Sequence, residues 1–284
     1  MLWLDGKAYS AQLEEEMRQE VIKLKEHGFI PKLVVIMIGS HAASQVYVKN
    51  KEKAAERIGI VTETIVFNEE VTESMVISCI QQLNQDEQCH GILVQMPLPK
   101  GWDTQKIIMA IDPKKDVDGF HPLNVGLLAT EQEGRKPCTP YGIQQLFHHY
   151  NIDVTSKNVV MIGRSHIVGR PMVQLLLQEN ATVTVCHSQT DHIQRYLSEA
   201  DIVIVAIGQA HWLRKEWLKE GVVVVDVGMN RTEEGLCGDV HPDVAMIASA
   251  MTPVPGGVGP MTIAMLMKQT IQSCQEVYDD RING

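Results

Sequence analysis

Apolar positions along this chain alternate between two periods almost from end to end. Residues 11–27 place Leu13, Met17, Val21 and Leu24 at helical spacing and run into Gly28, a helix stop. The run "KLVVIMIG" (32–39) reads as a strand; a helical stretch through Tyr47 and Lys51 follows, then "VTETIVF" (61–67), a further helix-like stretch, and "GILVQMPLP" (91–99). Continuous apolar strands separated by helices predict a parallel sheet covered on both faces. "DPKKDVDGFHPLNVG" (112–126) and "PCTPYG" (137–142) break the rhythm with Pro, Gly and Asp, which places the domain junction there. Beyond it, "NVVMIG" (158–163), "TVTVCH" (182–187), "DIVIVAIG" (201–208) and "GVVVVDVG" (221–228) form strands with helical stretches between them, a doubly wound pattern. Residues 264–284 predict a terminal helix that returns to the first domain.

The expected fold class is therefore α/β with two domains. One is an N-terminal α/β substrate domain of residues 1–138 plus 265–284. The other is a Rossmann-like, doubly wound dinucleotide domain of residues 139–264, with the active-site cleft between the two.

Composition narrows the function classes. A length of 284 residues with 44% hydrophobic content suffices for two cores. Lys and Arg number 25 against 35 Asp and Glu, a formal net charge of -10, which disfavours nucleic acid and anionic membranes as partners. Asp5 and Lys7 directly follow the opening Met1–Leu4, so no signal-peptide core is expected, and no apolar run reaches membrane-spanning length. The six cysteines are scattered without metal-ligand spacing, so no metal is expected and the thiols read as reduced ones of a cytosolic protein.

The strand "NVVMIG" runs into "GRSHIVGRP" (163–171), where Gly163, Arg164 and Ser165 form a small-residue turn before a helix. Such a turn lets backbone N–H groups approach a pyrophosphate. The match to the usual glycine fingerprint is imperfect, since Ser165 replaces the second glycine and the third is displaced to Gly169. The next strand ends in Cys186-His187-Ser188, where an NAD site would have an acid for the ribose hydroxyl. Ser188 can instead donate to a 2′-phosphate and Arg164 supplies a cation, so NADP is expected over NAD.

In the first half, Ser44, Tyr47 and Lys51 share one helix face by their spacing. A lysine beside a flat ring is a candidate proton-transfer group, although a free lysine titrates near ~10.4 and needs burial or neighbours to act near neutrality. An exposed amphipathic helix is the plain alternative. The same Tyr-x-x-x-Lys pair occurs in short-chain dehydrogenases, but their glycine-rich turn precedes it, whereas here it comes far downstream. Gln95, in an apolar strand end, is a candidate neighbour for the lysine, or else a strand end facing solvent. Of Asp116 and Asp118, one is expected to cap a turn beside Gly119 and the other to bind a donor-rich heterocycle edge. His121, before Pro122, reads as a satisfied loop residue, and "TPVPGGVGPMT" (252–262) as a rigid loop lining the cleft.

Taken together and in this order, Tyr47 to Lys51, "GILVQMPLP", "PKKDVDGFHPLNVG", "PCTPYG", "GRSHIVGRP", "CHSQT" (186–190) and "PGGVGPMT" (255–262) resemble the bifunctional methylenetetrahydrofolate dehydrogenase/methenyltetrahydrofolate cyclohydrolase family. The resemblance spans nearly the whole chain. It implies oxidation of 5,10-methylenetetrahydrofolate to the methenyl form with NADP, then hydrolysis to 10-formyltetrahydrofolate, in cytoplasmic one-carbon metabolism and purine biosynthesis. It implies that Tyr47 stacks on the folate, Lys51 is the key group of hydrolysis, Gln95 tunes it and Asp118 holds the pterin. Val94, Met96, Pro255, Gly256 and Gly257 complete the implied folate site. Gly163, Arg164, Ser165, Ser188 and Met229, with Thr139 and Gly208, are the implied cofactor positions. Tetrahydrofolate derivatives are the implied ligands and a homodimer built through the dinucleotide domain the implied assembly. Met96 stands where the family commonly has Leu, which leaves pocket volume similar. A shikimate dehydrogenase type of enzyme would have no use for Tyr47 and Lys51 with Gln95. A dehydrogenase without hydrolysis, or a non-catalytic NADP-binding regulator, would not need these groups intact, and no phosphate-binding P-loop of a ligase occurs.

Overall fold

A computed structural model describes residues 1–39, 42–233 and 235–283. In chain order the elements are β1 (Leu2–Trp3), α1 (Gly6–Glu26), β2 (Lys32–Ile38), α2 (Ala42–Ile58), β3 (Val61–Phe67), α3 (Glu73–Gln85), β4 (Gly91–Val94), α4 (Thr104–Ala110), α5 (Pro122–Ala129) and α6 (Cys138–His149). They continue with β5 (Asn158–Ile162), α7 (Gly169–Gln178), β6 (Thr182–Cys186), α8 (Ile193–Leu197), β7 (Ile202–Val205), β8 (Val223–Asp226), β9 (Asn230–Thr232), β10 (Gly235–Cys237), β11 (Ala250–Met251) and α9 (Val258–Asn283). The chain forms two compact units, Gln12–Lys136 with Ile263–Gly284, and Met1–Ala11 with Pro137–Thr262.

The first of these units holds a parallel sheet in the order β3-β2-β4. Its central strand is buried on both faces, with Leu33, Val34, Val35 and Ile36 all fully shielded, which is why its sequence is a continuous apolar run rather than an alternation. One face packs Val34, Ile36 and Ile92 against Val76, Ile80 and Leu83 of α3 and Ile107 of α4. Thr72 caps α3 by accepting from Met75 N, and Asp103 caps α4 by accepting from Gln105 N and Lys106 N.

The second unit is built on a parallel sheet ordered β1-β11-β8-β7-β5-β6, with a separate antiparallel hairpin of β9 and β10. Because β6 lies on one side of β5 and β7 on the other, the strand order reverses at β5. In such sheets ligands bind beyond the carboxyl ends of the strands at this switch point. Val160, Ile162, Val203, Val205 and Val224 supply one face of its core.

Three expectations need correction. Residues 1–11 pack in the dinucleotide unit, not in the substrate domain, because Leu2 and Trp3 pair in parallel with Ala250 and Met251 and Lys7 N donates to Gly256 O at 2.7 Å. The expected loop 252–262 ends at Gly257, since α9 begins at Val258. Pro260 lies in its first turn, where a missing N–H loses no helical hydrogen bond. For the same reason "CTPYG" is not a break before a helix but the first turn of α6.

Candidate active site

Lys51 projects from the middle of α2, and its Nζ donates to Gln95 Oε1 at 3.0 Å. Gln95 directly follows β4 and is held at both ends: its backbone N donates to Ile36 O at 2.8 Å and its Nε2 to Met96 O at 2.9 Å. The carboxamide therefore turns its acceptor oxygen to the lysine. Ser44, on the same helix, is buried, whereas Tyr47 is 41% exposed, so the shared face runs from core to surface. Val94 is buried in the apolar cluster with Val34 and Ile92, so its side chain serves packing and it brings Gln95 to the strand end. Met96 is half-buried and precedes a cis proline, Pro97.

The loop carrying the two aspartates is pinned beside β4. Ile92 N donates to Lys115 O at 2.8 Å, and Gln269 Nε2 from α9 donates to Val117 O at 2.7 Å. A Cβ on Gly91 would stand 2.8 Å from Val117 Cγ1, so the approach requires glycine there. The two carboxylates then divide their roles. Asp116 is buried and structural: its Oδ2 accepts from His121 N and Asn124 Nδ2, both at 2.8 Å. Asp118, half-buried, accepts no hydrogen bond among the described residues. Desolvation pushes its pKa up to about 6; Lys51 opposes the rise and Asp116 adds to it. A raised carboxyl that accepts no hydrogen bond among the described residues, within electrostatic range of Lys51, does not cap the turn and has the character of a functional-site group. His121 is the N-cap of α5, its Nδ1 accepting from Leu123 N at 3.1 Å, a structural role.

In the second unit, Gly163, Ser188, Gly208 and Met229 follow β5, β6, β7 and β8, four neighbouring strands, at their carboxyl ends. Gly163 has φ +111°, and a Cβ there would come 2.5 Å from Ala206 O; one on Gly169 would collide with Gly163 O. These two glycines let α7 close onto the turn, which the displaced fingerprint left open. Ser165 takes the place of a helix cap: its Oγ accepts from Val168 N at 3.2 Å and Gly169 N at 3.3 Å. Arg164 and Ser188 are exposed two residues past Ile162 and Cys186, which are register partners, and no acid stands at the end of β6. The turn, the cation and the hydroxyl fit a dinucleotide bearing a 2′-phosphate. Thr139 Oγ1 lies 3.0 Å from Thr262 Oγ1 on α9, and on the same helix a Cβ at Gly259 would stand 3.5 Å from Met229 Cε. Pro255 is exposed in the turn before α9, where Gly256 takes φ +110° and Gly257 abuts Gly6.

Two residues escaped sequence reasoning. Asp226, at the end of β8, and Asp239 are buried carboxylates that gather the loops after β7 and β8. Burial raises the Asp226 pKa to about 6, against the lowering effect of the amides it accepts from. Their one sequence signal is a pair of glycines close by, Gly228 and Gly238, where a Cβ would collide with Asp239 Oδ1 and Asp226 Oδ2 respectively.

A reversing parallel sheet with a two-glycine turn at its switch point defines a dinucleotide-binding α/β protein. Comparison with known proteins sharpens that class. The family model for the tetrahydrofolate dehydrogenase/cyclohydrolase catalytic domain matches residues 4–118, and that for the NAD(P)-binding domain of the same family matches residues 137–278. The bifunctional protein FolD of Enterococcus faecalis is 52% identical over 275 residues, covering 96% of this chain and 98% of its own. The crystal structure of the bifunctional FolD enzyme from Campylobacter jejuni superposes with a TM-score of 0.96 at 48% identity, covering 97% of this chain and 99% of that one. The Trypanosoma brucei methylenetetrahydrofolate dehydrogenase-cyclohydrolase, solved with NADP and an inhibitor, gives 0.92 at 37% identity, covering 97% and 98%. The chain belongs to the tetrahydrofolate dehydrogenase/cyclohydrolase family.

Proposed function

We propose that this protein oxidises 5,10-methylenetetrahydrofolate to 5,10-methenyltetrahydrofolate with NADP+ and then hydrolyses the methenyl product to 10-formyltetrahydrofolate. The observation that carries the reading is the 3.0 Å contact between Lys51 Nζ and Gln95 Oε1 in a chain of this family, with Asp118 in electrostatic range.

The chemistry divides between the residues. NADP+, when bound, is the acceptor of the two electrons removed from the one-carbon bridge. Gly163, Arg164, Ser165, Ser188, Gly208, Met229 and Thr139 are the residues assigned to hold it. That step needs orientation of two flat rings more than an acid or base, which Tyr47 serves by stacking on the folate. Asp118, as a carboxylate, accepts two parallel N–H bonds from the pterin edge, while Met96 shapes the wall and Val94 backs it from the core. In hydrolysis, water adds to the methenyl carbon, the bond from that carbon to N5 breaks, and one proton is released overall. Lys51 Nζ takes a proton from the attacking water and returns one to N5, held on line by Gln95. We also propose a homodimer through the dinucleotide unit. Among the described residues none of the six cysteines forms a disulfide, which supports a cytoplasmic setting, where thiols stay reduced.

The test follows one sample by absorbance with methylenetetrahydrofolate and either NADP+ or NAD+. Reduction that favours NADP+, followed by enzymatic clearance of the methenyl species, is the expected result. No reduction with either dinucleotide refutes the assignment.

A further inference from the structure

Asp239 is wholly shielded, and among the described residues its carboxylate joins no ion pair. Its charge is met instead by four N–H donors. Ile207 N and Gly208 N donate to Oδ2 at 2.7 and 2.9 Å, and Gln209 N and Asn230 Nδ2 donate to Oδ1 at 2.8 and 2.9 Å. Three consecutive amides converge on one carboxylate because Gly208 takes φ +65°, a left-handed turn that folds the backbone into an anion nest. Asp239 is in turn fixed by Asp226, whose Oδ1 accepts from Asp239 N and Gly228 N and whose Oδ2 accepts from Val240 N, all at 2.9 Å.

The segments so gathered, 207–209 and 228–230, follow β7 and β8 and carry the cofactor positions Gly208 and Met229. Peptide planarity fixes a second consequence. With the N–H groups of 207, 208 and 209 turned to Asp239, the carbonyls of Ala206, Ile207 and Gly208 point away from it. Ala206 O is the atom that a Cβ on Gly163 would strike at 2.5 Å, so this carbonyl lies against the dinucleotide turn after β5. One buried carboxylate therefore sets the placement of the loops after β7 and β8, and through Ala206 their spacing from the turn at Gly163.

We propose that Asp239 is a positioning residue for the dinucleotide, which determines cofactor affinity through the 207–209 and 228–230 loops. The inference rests on the dinucleotide reading above. An asparagine in its place offers one acceptor oxygen and turns an NH2 group toward two of the four donors, so the nest cannot close. A purely structural residue would, on substitution, lower stability and leave the affinity of the folded fraction unchanged.

The experiment is calorimetric titration of the full-length protein with NADP+, alongside thermal unfolding and dehydrogenase kinetics, for wild type, Asp239→Asn and Asn230→Ala. The expected result is that Asp239→Asn weakens binding about tenfold or more and raises KM for NADP+, while kcat at saturating cofactor stays within about threefold. Asn230→Ala, which removes one of the four donors, weakens binding by about threefold. A folded Asp239→Asn protein that binds NADP+ as tightly as wild type overturns the proposal. If that variant does not fold, Asn230→Ala decides, and unchanged affinity there overturns it. A wild-type protein that bound no NADP+ would overturn the dinucleotide reading itself, and this inference with it.

Discussion

Lys51 Nζ donates to Gln95 Oε1 at 3.0 Å, joining the middle of α2 to the residue that follows β4. Gln95→Leu removes that acceptor and leaves the lysine amine undirected, so hydrolysis of the methenyl compound should fall by about tenfold or more while oxidation persists. Gln95→Glu places a carboxylate there, which favours the ammonium form, so the pH profile of hydrolysis should move alkaline. Assays of the two steps across a pH series check both, and an unmoved profile in Gln95→Glu contradicts the contact.

Asp118 has its pKa raised to about 6, chiefly by desolvation. As pH falls through that value the carboxylate protonates, one acceptor is lost, and KM for the folate substrate should rise. The stability effect has the opposite sense. The folded state holds the proton more tightly than the unfolded state, so Asp118 opposes folding increasingly from about pH 4 to about 6, and fully above that. Asp118→Asn should therefore raise Tm at pH 8, with the gain shrinking toward pH 4, while substrate binding is lost. A variant less stable than wild type at pH 8 would refute this.

Arg164 is exposed beyond β5, opposite Ser188 at the end of β6. With Arg164 meeting the 2′-phosphate as proposed, Arg164→Ala would lose a charge-assisted bond of about 1.5–3 kcal/mol, so KM for NADP+ should rise roughly 10- to 100-fold with little change for NAD+. Equal losses for the two dinucleotides contradict the assignment.

Gly163 takes φ +111°, and a Cβ at this position would stand only 2.5 Å from Ala206 O. Gly163→Ala should destabilise the protein by about 1–3 kcal/mol, read by denaturant unfolding. An unchanged midpoint would mean that the turn is not constrained as described.

The extent to which sequence revealed structure follows from how each element earns its burial. Strands β5, β7 and β8 are shielded on both faces, so each is written as an apolar run that composition exposes at once. β1 and β11 span two residues each, too few to carry a period, and their pairing moved residues 1–11 to the other unit. The helix start at Val258 hid behind Gly259 and Pro260, residues that read as loop yet are tolerated in a first turn. Within the site, helical spacing placed Tyr47 and Lys51 on one face, but Gln95 reaches the lysine only through the pairing of β2 with β4. The sequence "DVD" could not say which aspartate is structural; that depends on His121 N and Asn124 turning to Asp116. Asp239 left almost no signal, because most of its partners are backbone amides, which every residue possesses.

The most direct test of the central claim compares wild type with Lys51→Met on one sample, following reduced NADP and the methenyl compound together from methylenetetrahydrofolate. Lys51→Met should still reduce NADP+ and should accumulate the methenyl species, with hydrolysis slowed by about 10²-fold or more. Clearance of the methenyl species at the wild-type rate would contradict the role assigned to Lys51 and the reading of this site.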